Sequence, residues 1–280
     1  MAELYVVGIG PGSREMMTLE AVHALEHCPV IAGYTVYIDL IRDWLPEKEW
    51  IATPMRREEE RCRLALASAA AGNDTAMVCS GDSGVYGMAG LILELLGQYP
   101  GVQVTVLPGV TAALAGGALL GAPLTHDFAV ISLSDCLTAL EKIQARLRAA
   151  AEADFAICLY NPSSRKRRGY LQMAAEIVLQ YQPPETVCGM VRNIGRTGQR
   201  AEILSLDELS RREADMFTTV FIGNSQTRHL GPYMVTPRGY ACTDACILGK
   251  DNADEGGSDG SSDSGSGSSD GCDNGSNQQQ

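Results

Sequence analysis

The chain has 280 residues, of which 45% are hydrophobic and 20% charged, with nine cysteines and a formal net charge of −12 at pH 7. That length accommodates one large or two medium domains, and the acidic balance argues against the basic face with which nucleic-acid-binding proteins displace counterions from phosphates. No uninterrupted apolar run approaches the roughly 20 residues of a membrane span, so neither nucleic acid nor a membrane is an expected partner.

Residues 4–8 read as a short strand that runs at once into Gly8-Ile9-Gly10-Pro11-Gly12. With no charged leader before an apolar core, no signal peptide is expected. Thr18 stands at an N-cap position ahead of Leu19, Val22 and Leu25, spaced for one buried helix face. Strand, glycine turn and helix also begin a dinucleotide-binding fold, so a nucleotide-binding oxidoreductase is one reading. The fit is poor, because Pro11 follows the second glycine and the next strand, residues 29–32, ends in Gly33-Tyr34 where a carboxylate would be expected.

A less regular region with breaks at Pro46 and Pro54 leads to a charged helix over 58–71, stopped by Gly72-Asn73-Asp74. Residues 75–79 form an apolar strand that opens into Ser80-Gly81-Asp82-Ser83-Gly84-Val85-Tyr86-Gly87, a glycine-rich turn able to bring backbone close to a ligand. A packed helix follows over 88–96 and another strand over 102–107. Pro108-Gly109-Val110-Thr111-Ala112 then precedes a small-residue helix over 113–120. The first half is thus a βα alternation whose loops gather at the carboxyl ends of three strands, the edge at which open parallel sheets bind ligands.

Gly121-Ala122-Pro123 reads as a hinge. Beyond it come a strand over 128–133, a helix that Ser134-Asp135 would cap with Leu137, Leu140, Ile143 and Leu147 inward, and a strand over 155–160 ending in Asn161-Pro162-Ser163-Ser164. The next helix places Tyr170, Met173, Ala174, Ile177 and Tyr181 on one face, with Arg165-Lys166-Arg167-Arg168 on its first turn, where the helix dipole disfavours cations. Strands over 186–191 and 217–222 complete the half. The organisation expected is α/β, with two α/β domains, 1–122 and 123–240, facing a shared cleft, and an acidic Gly/Ser-rich tail over 241–280. The last thirty residues hold seven acids and no Lys or Arg, so the −12 becomes −5 once they are set aside. Their composition predicts disorder.

Three basic clusters stand out on this mildly acidic body: Arg56, Arg57, Arg61 and Arg63; residues 165–168; and Arg192, Arg196 and Arg200. Each could be a solvated helix face, but three together bring an anionic small-molecule substrate into consideration. The cysteines are odd in number and scattered through apolar segments, as expected of reduced thiols in a cytoplasmic protein. Cys242 and Cys246 match no strong zinc signature, and no metal is expected.

Five stretches, GIGPG at 8–12, SGDSGVYG at 80–87, PGVTA at 108–112, LYNP at 159–162 and FIGNS at 221–225, together resemble the tetrapyrrole methylase family, the class III S-adenosylmethionine-dependent methyltransferases. Within it, residues 33–41, 123–135 and 234–240 resemble the branch that methylates ring carbon 17 of precorrin-3B, with ring contraction, in cobalamin biosynthesis; another corrin-ring methylase is the alternative. The resemblance implies S-adenosyl-L-methionine as methyl donor, a tetrapyrrole substrate and a homodimer. Carboxylates on that substrate would account for the arginines. Carried over by position, cofactor contacts fall on Pro11, Gly81, Asp82, Val85, Thr111, Ala112, Tyr160, Asn161 and Asn193. The family's second motif has proline where Ser83 stands here, which predicts a less rigid loop. Proton chemistry for the contraction has Tyr34, His126 and Asp127 as candidates, His126 because imidazole titrates near neutral pH.

Overall fold

In the computed structural model, which describes residues 2–164 and 166–240, the first strand, β1 (Glu3–Gly8), turns Leu4 and Val6 to one face and Val7 to the other. This is the two-residue alternation that an extended chain imposes. It lies in a five-stranded sheet with β2 (Val30–Tyr34), β3 (Glu49–Thr53), β4 (Thr75–Cys79) and β5 (Gln103–Leu107), in the order β3-β2-β4-β1-β5, every pair parallel. Helices α1 (Leu19–His27) and α2 (Thr35–Ile38) cover the face of Val7, Ile31 and Val78, while α3 (Glu58–Ala70) and α4 (Ala89–Leu95) cover that of Leu4, Val6 and Met77. Cover on both faces explains why the inner strands β1, β2 and β4 read as mostly apolar runs. Thr18 caps α1 by accepting from the Ala21 N–H at 3.1 Å, as its position predicts. The buried face of α1 is Ala21, Ala24 and Leu25, however, and Leu19 is exposed.

Helix α5 (Ala112–Leu120) follows β5 in the chain but packs on a different sheet. That sheet contains β7 (Phe128–Ser132), β8 (Ala156–Tyr160), β9 (Val187–Arg192), β10 (Arg200–Ser205) and β11 (Thr218–Ile222), in the order β10-β9-β11-β8-β7. Only β7 and β8 run parallel; the other three pairs are antiparallel. One face, with Ile157, Leu159, Val220 and Ile222, is covered by α6 (Leu140–Glu152), α7 (Tyr170–Val178) and α8 (Leu206–Leu209). The other, with Cys158, Val191 and Phe221, is covered by α5. A Cβ at Gly116 would lie 2.9 Å from Phe221 Cζ, and one at Gly189 would lie 2.4 Å from Leu120 Cδ1, so glycines on both partners permit the close seating. A three-stranded sheet pairs β6 (Gly121–Ala122), where the two halves join in sequence, with the later hairpin of β12 (Arg228–Leu230) and β13 (Tyr233–Val235).

The α/β expectation holds, and several local readings change. β3 and β10 were not expected as strands. Helix α6 starts at Leu140, and Leu137, read as inward, is fully exposed. Helix α7 starts at Tyr170 and ends at Val178, which leaves Tyr181 exposed and puts Lys166, Arg167 and Arg168 before the helix. The dipole conflict that favoured a binding role for that cluster therefore falls away; Arg167 instead lies 3.8 Å from Asp135. Cys28, Cys62, Cys79, Cys158 and Cys188 are buried free thiols. The tail, with Cys242 and Cys246, and Arg165 lie outside the described residues. No helix among the described residues is long and apolar enough to cross a membrane.

Candidate functional site

Three loops meet where β1, β4 and β5 end, and they meet through bare backbone. Gly10 and Gly81 exchange hydrogen bonds, N–H to O at 3.0 and 2.7 Å, as an isolated antiparallel bridge. A Cβ on Gly8 would sit 2.6 Å from the Gly109 nitrogen, and one on Gly109 would sit 2.2 Å from the Gly81 oxygen, so no side chain fits at either position. Gly10 and Gly81 also take φ of +66° and +71°, a region open to glycine at little penalty.

Asp82 holds this junction together. Its Oδ1 accepts from the N–H groups of Gly84 and Val85 at 2.8 and 2.9 Å, and its Oδ2 from that of Gly109 at 3.0 Å. Burial works against ionisation, but the three N–H donors outweigh it, and the carboxyl lies below its ordinary value. Ser83 differs from the expectation of a looser loop. It is buried, its Oγ donates to the Leu107 carbonyl at 2.8 Å, and its own carbonyl accepts from the Ala89 N–H at 3.1 Å. A hydrogen bond to the third strand thus does the fixing that the proline ring would have done.

Side chains of the second half close the cleft. Tyr160, at the end of β8, accepts from the Ala113 N–H at 2.8 Å and shares a hydrogen bond with Thr111 Oγ1, so it caps the start of α5. Burial, ahead of these contacts, pushes its hydroxyl up to about 12 and keeps it protonated at physiological pH. Tyr86, from the second loop, reaches β7: its hydroxyl donates to the Val130 carbonyl and accepts from the Ser132 N–H, both at 3.1 Å. Its φ of 55° is unusual for an aromatic residue, and its ring lies 5.4 Å from that of Tyr160. Asn161 and Asn193, each with φ of 53°, occupy the left-handed region that asparagine tolerates best among non-glycine residues. Arg196 completes the closure, donating from Nε to the Pro11 carbonyl and from Nη2 to Ser80 Oγ, both at 2.9 Å.

Pro11, Tyr34, Gly81, Val85, Thr111, Ala112, Tyr160, Asn161 and Asn193 all line this one cleft. Asp82 does not; it sits behind the wall it stabilises. His126 and Asp127 lie in a separate depression with Asp154, Phe155 and Asn224, so the structure does not bring them together with Tyr34. The cleft is also lined by Tyr37, Ser80, Tyr86 and Arg196, none of which the sequence marks as a contact, although Ser80 and Tyr86 lie in the second loop and Arg196 in the third basic cluster. The third basic cluster, Arg192, Arg196 and Arg200, is not the solvated helix face that such a run can form; these residues span the β9–β10 hairpin. The Asn193-x-Gly195 pair was the available signal, since both residue types favour turns.

The sequence profile described as Tetrapyrrole (Corrin/Porphyrin) Methylases matches residues 3–210. The chain belongs to the tetrapyrrole methylase family. Among curated relatives, it is 45% identical over 238 residues to a "Probable cobalt-factor III C(17)-methyltransferase" of Salmonella typhimurium, covering 85% of this chain and 99% of that one. It is 42% identical over 247 residues to a "Precorrin-3B C(17)-methyltransferase" of Sinorhizobium sp, covering 85% and 97%. Among solved structures, that of the methyltransferase CobJ matches with a TM-score of 0.78 at 36% identity over 85% of this chain and all of that one. A uroporphyrin-III C-methyltransferase from Thermus thermophilus, solved with S-adenosyl homocysteine, matches with a TM-score of 0.61 at 25% identity, covering 79% and 92%. As a tetrapyrrole methylase the chain is an enzyme of methyl transfer, and the oxidoreductase reading of its first glycine turn is superseded. That turn does not enter its helix directly; a 3-10 turn over Arg14–Met16 intervenes before α1.

Proposed function

We propose that the protein transfers a methyl group from S-adenosyl-L-methionine to ring carbon 17 of a corrin precursor, precorrin-3B or its cobalt-bearing counterpart cobalt-factor III, with contraction of the macrocycle. The observation that carries the reading is the convergence of eight of the nine expected cofactor contacts on one cleft at the carboxyl edge of a parallel sheet. The relatives support the substrate class, and they bear names for both substrates at nearly equal identity.

The residues present suit a nucleoside-bearing donor. The glycine junction offers backbone polar groups with no side chain in the way, while Val85, Tyr86 and Phe217 offer apolar surface. When bound, that donor supplies a methyl group on a sulfonium, already activated toward an electron-rich carbon. The chain's own task is then to hold two ligands in line and exclude water. Pro11, Gly81, Val85, Thr111 and Ala112 would hold the donor from the first half, and Tyr160, Asn161 and Asn193 from the second, with 1–122 and 123–240 acting as the two domains around it. Of the three acid–base candidates, Tyr34 has the supporting position, since only it lines the cleft. Its hydroxyl can donate or accept a hydrogen bond at the macrocycle. A cytoplasmic homodimer is the expected setting, and light scattering coupled to size exclusion tests the assembly.

Incubation with S-adenosylmethionine and each substrate, followed by mass spectrometry and product NMR, tests the function. The expected product carries one new methyl group at ring carbon 17. A methyl at another ring carbon would favour a different corrin-ring methylase, and no methylation of either substrate would overturn the reading.

A further inference from the structure

Four of the described arginines are not exposed: Arg61, Arg63, Arg167 and Arg196. Arg63 pairs with Glu59 at 2.9 Å and Arg167 lies 3.8 Å from Asp135. Arg61 and Arg196 have no carboxylate within ion-pair distance among the described residues; Arg196 lines the cleft, and Arg61 lies against Tyr34, which also lines it. Arg61, only 4% exposed, donates from Nε to Thr53 Oγ1 at 2.8 Å and from Nη2 to the Pro54 carbonyl at 3.1 Å; its Nη1 has only Met88 Sδ, at 4.0 Å. Its guanidinium lies 5.8 Å from the ring centre of Tyr34, which packs edge to face with Tyr37 at 5.1 Å. Arg196 lines the cleft, bonded to Pro11 and Ser80 and 5.9 Å from the Phe217 ring centre. Every one of these acceptors is neutral.

A desolvated cation held by neutral acceptors alone is unfavourable unless it serves something. Asp82, the carboxylate at this junction, is turned to three backbone N–H groups and neutralises neither arginine. Burial holds the Arg196 guanidinium below its ordinary value, with Tyr37 acting in opposition. The Tyr37 hydroxyl is in turn raised by burial and drawn down by Arg196 and, less, by Arg61. A corner with two uncompensated positive charges and phenolic hydroxyls has the chemistry of a carboxylate receptor.

We propose that Arg196 is the ligand-contacting residue of a carboxylate-recognition corner in the cleft, and that Arg61 is a positioning residue that acts through Tyr34, the cleft residue it backs. The inference rests on the methyltransferase reading. The carboxylate could come from the amino-acid end of the methyl donor or from an acetate or propionate arm of the macrocycle.

Calorimetric titration with S-adenosylhomocysteine and with methylthioadenosine, which lacks the amino-acid portion, separates these sources when combined with steady-state kinetics on cobalt-factor III. If the donor is recognised, Arg196→Gln should weaken S-adenosylhomocysteine by about tenfold to a hundredfold while leaving methylthioadenosine unchanged. If the macrocycle is recognised, both nucleosides should bind as before while KM for cobalt-factor III rises by a similar factor at nearly constant kcat. In either case Arg61→Gln should shift the same ligand by several-fold, and Arg196→Lys should recover part of the loss. Should Arg196→Gln fail to fold, Arg196→Lys, which keeps the charge but loses the two-point grip, provides the same comparison between ligands.

Equal weakening of both nucleosides would mean that Arg196 only clamps the loops, and an unchanged variant would mean that it does not meet a carboxylate; either result overturns the proposal. If the wild-type chain binds neither nucleoside and methylates nothing, the functional reading fails and this inference with it.

Discussion

The two large sheets contribute to the cleft in opposite ways. The first sheet is parallel throughout, and its loops present backbone: Gly8, Gly10, Gly81 and Gly109 press together with no room for a Cβ at Gly8 or Gly109. The second is mostly antiparallel, and it presents side chains: Tyr160, Asn161, Asn193 and Arg196 reach from strand ends and a hairpin to grip the first. A parallel sheet brings successive strand ends to one edge, so short glycine loops suffice there. In the second sheet the β9–β10 hairpin and the end of β8 lend longer side chains to the opposite wall. One wall is fixed by the absence of atoms and the other by their reach, so the two should fail differently.

The backbone wall should be the less forgiving. Gly109→Ala drives a methyl group to 2.2 Å from the Gly81 oxygen and 2.7 Å from Gly8. It should lower stability by about 3 kcal/mol, the upper part of the usual overpacking range, and abolish S-adenosylhomocysteine binding; denaturant melts and calorimetry would check both. A stable, binding-competent variant would break the contrast. Asp82→Ala comes next, since it strands three N–H donors at once. Donor binding should fall at least tenfold, with the loss of stability limited to about 1–3 kcal/mol.

The same aspartate predicts a pH dependence. Its folded value is lowered, so its stabilisation is present above the ordinary carboxylate value of about 3.9 and is lost as pH falls through the lower folded value. In acid melts, the Asp82→Asn variant should lose less than the wild type. On the side-chain wall, Tyr160→Phe removes one acceptor from the Ala113 N–H and should destabilise by about 1 kcal/mol, with a smaller effect on donor affinity than Asp82→Ala. The smallest effect is expected at His126→Ala, which lies outside the cleft and should leave kcat/KM for methyl transfer within about twofold, well under 1 kcal/mol.

Much of the backbone wall was legible from residue order alone, because buried parallel strands read as apolar runs and glycines mark the turns between them. β3 was not legible, since EWIAT at the sheet edge is neither a continuous apolar run nor a regular alternation: its positions run exposed, half-buried, half-buried, exposed, buried. Nor was the strand order of the second half, where β9, β10 and β11 pair without long helices between them and no periodicity reports direction. Of the site, residues inside glycine and asparagine motifs were found, while the reach of Tyr86 to β7 and of Arg196 to Pro11 and Ser80 became visible only once the loops were folded. The inward turn of Arg61 from a helix that otherwise pairs Arg57 with Glu60 and Arg63 with Glu59 depends on Thr53 and Pro54 meeting it across α3, a tertiary fact.

Helix α5 bears on how such a molecule can be divided. By sequence it belongs to the first half, because β5 leads straight into it; by burial it belongs to the second, whose Phe221, Cys158 and Val191 it shields. A cut at residue 122 would leave one fragment with an apolar helix lacking its sheet and the other with a sheet lacking its cover. The halves therefore share a folding unit across their boundary, and an exchange of either half between relatives would carry its core intact only if residues 112–120 travelled with the second.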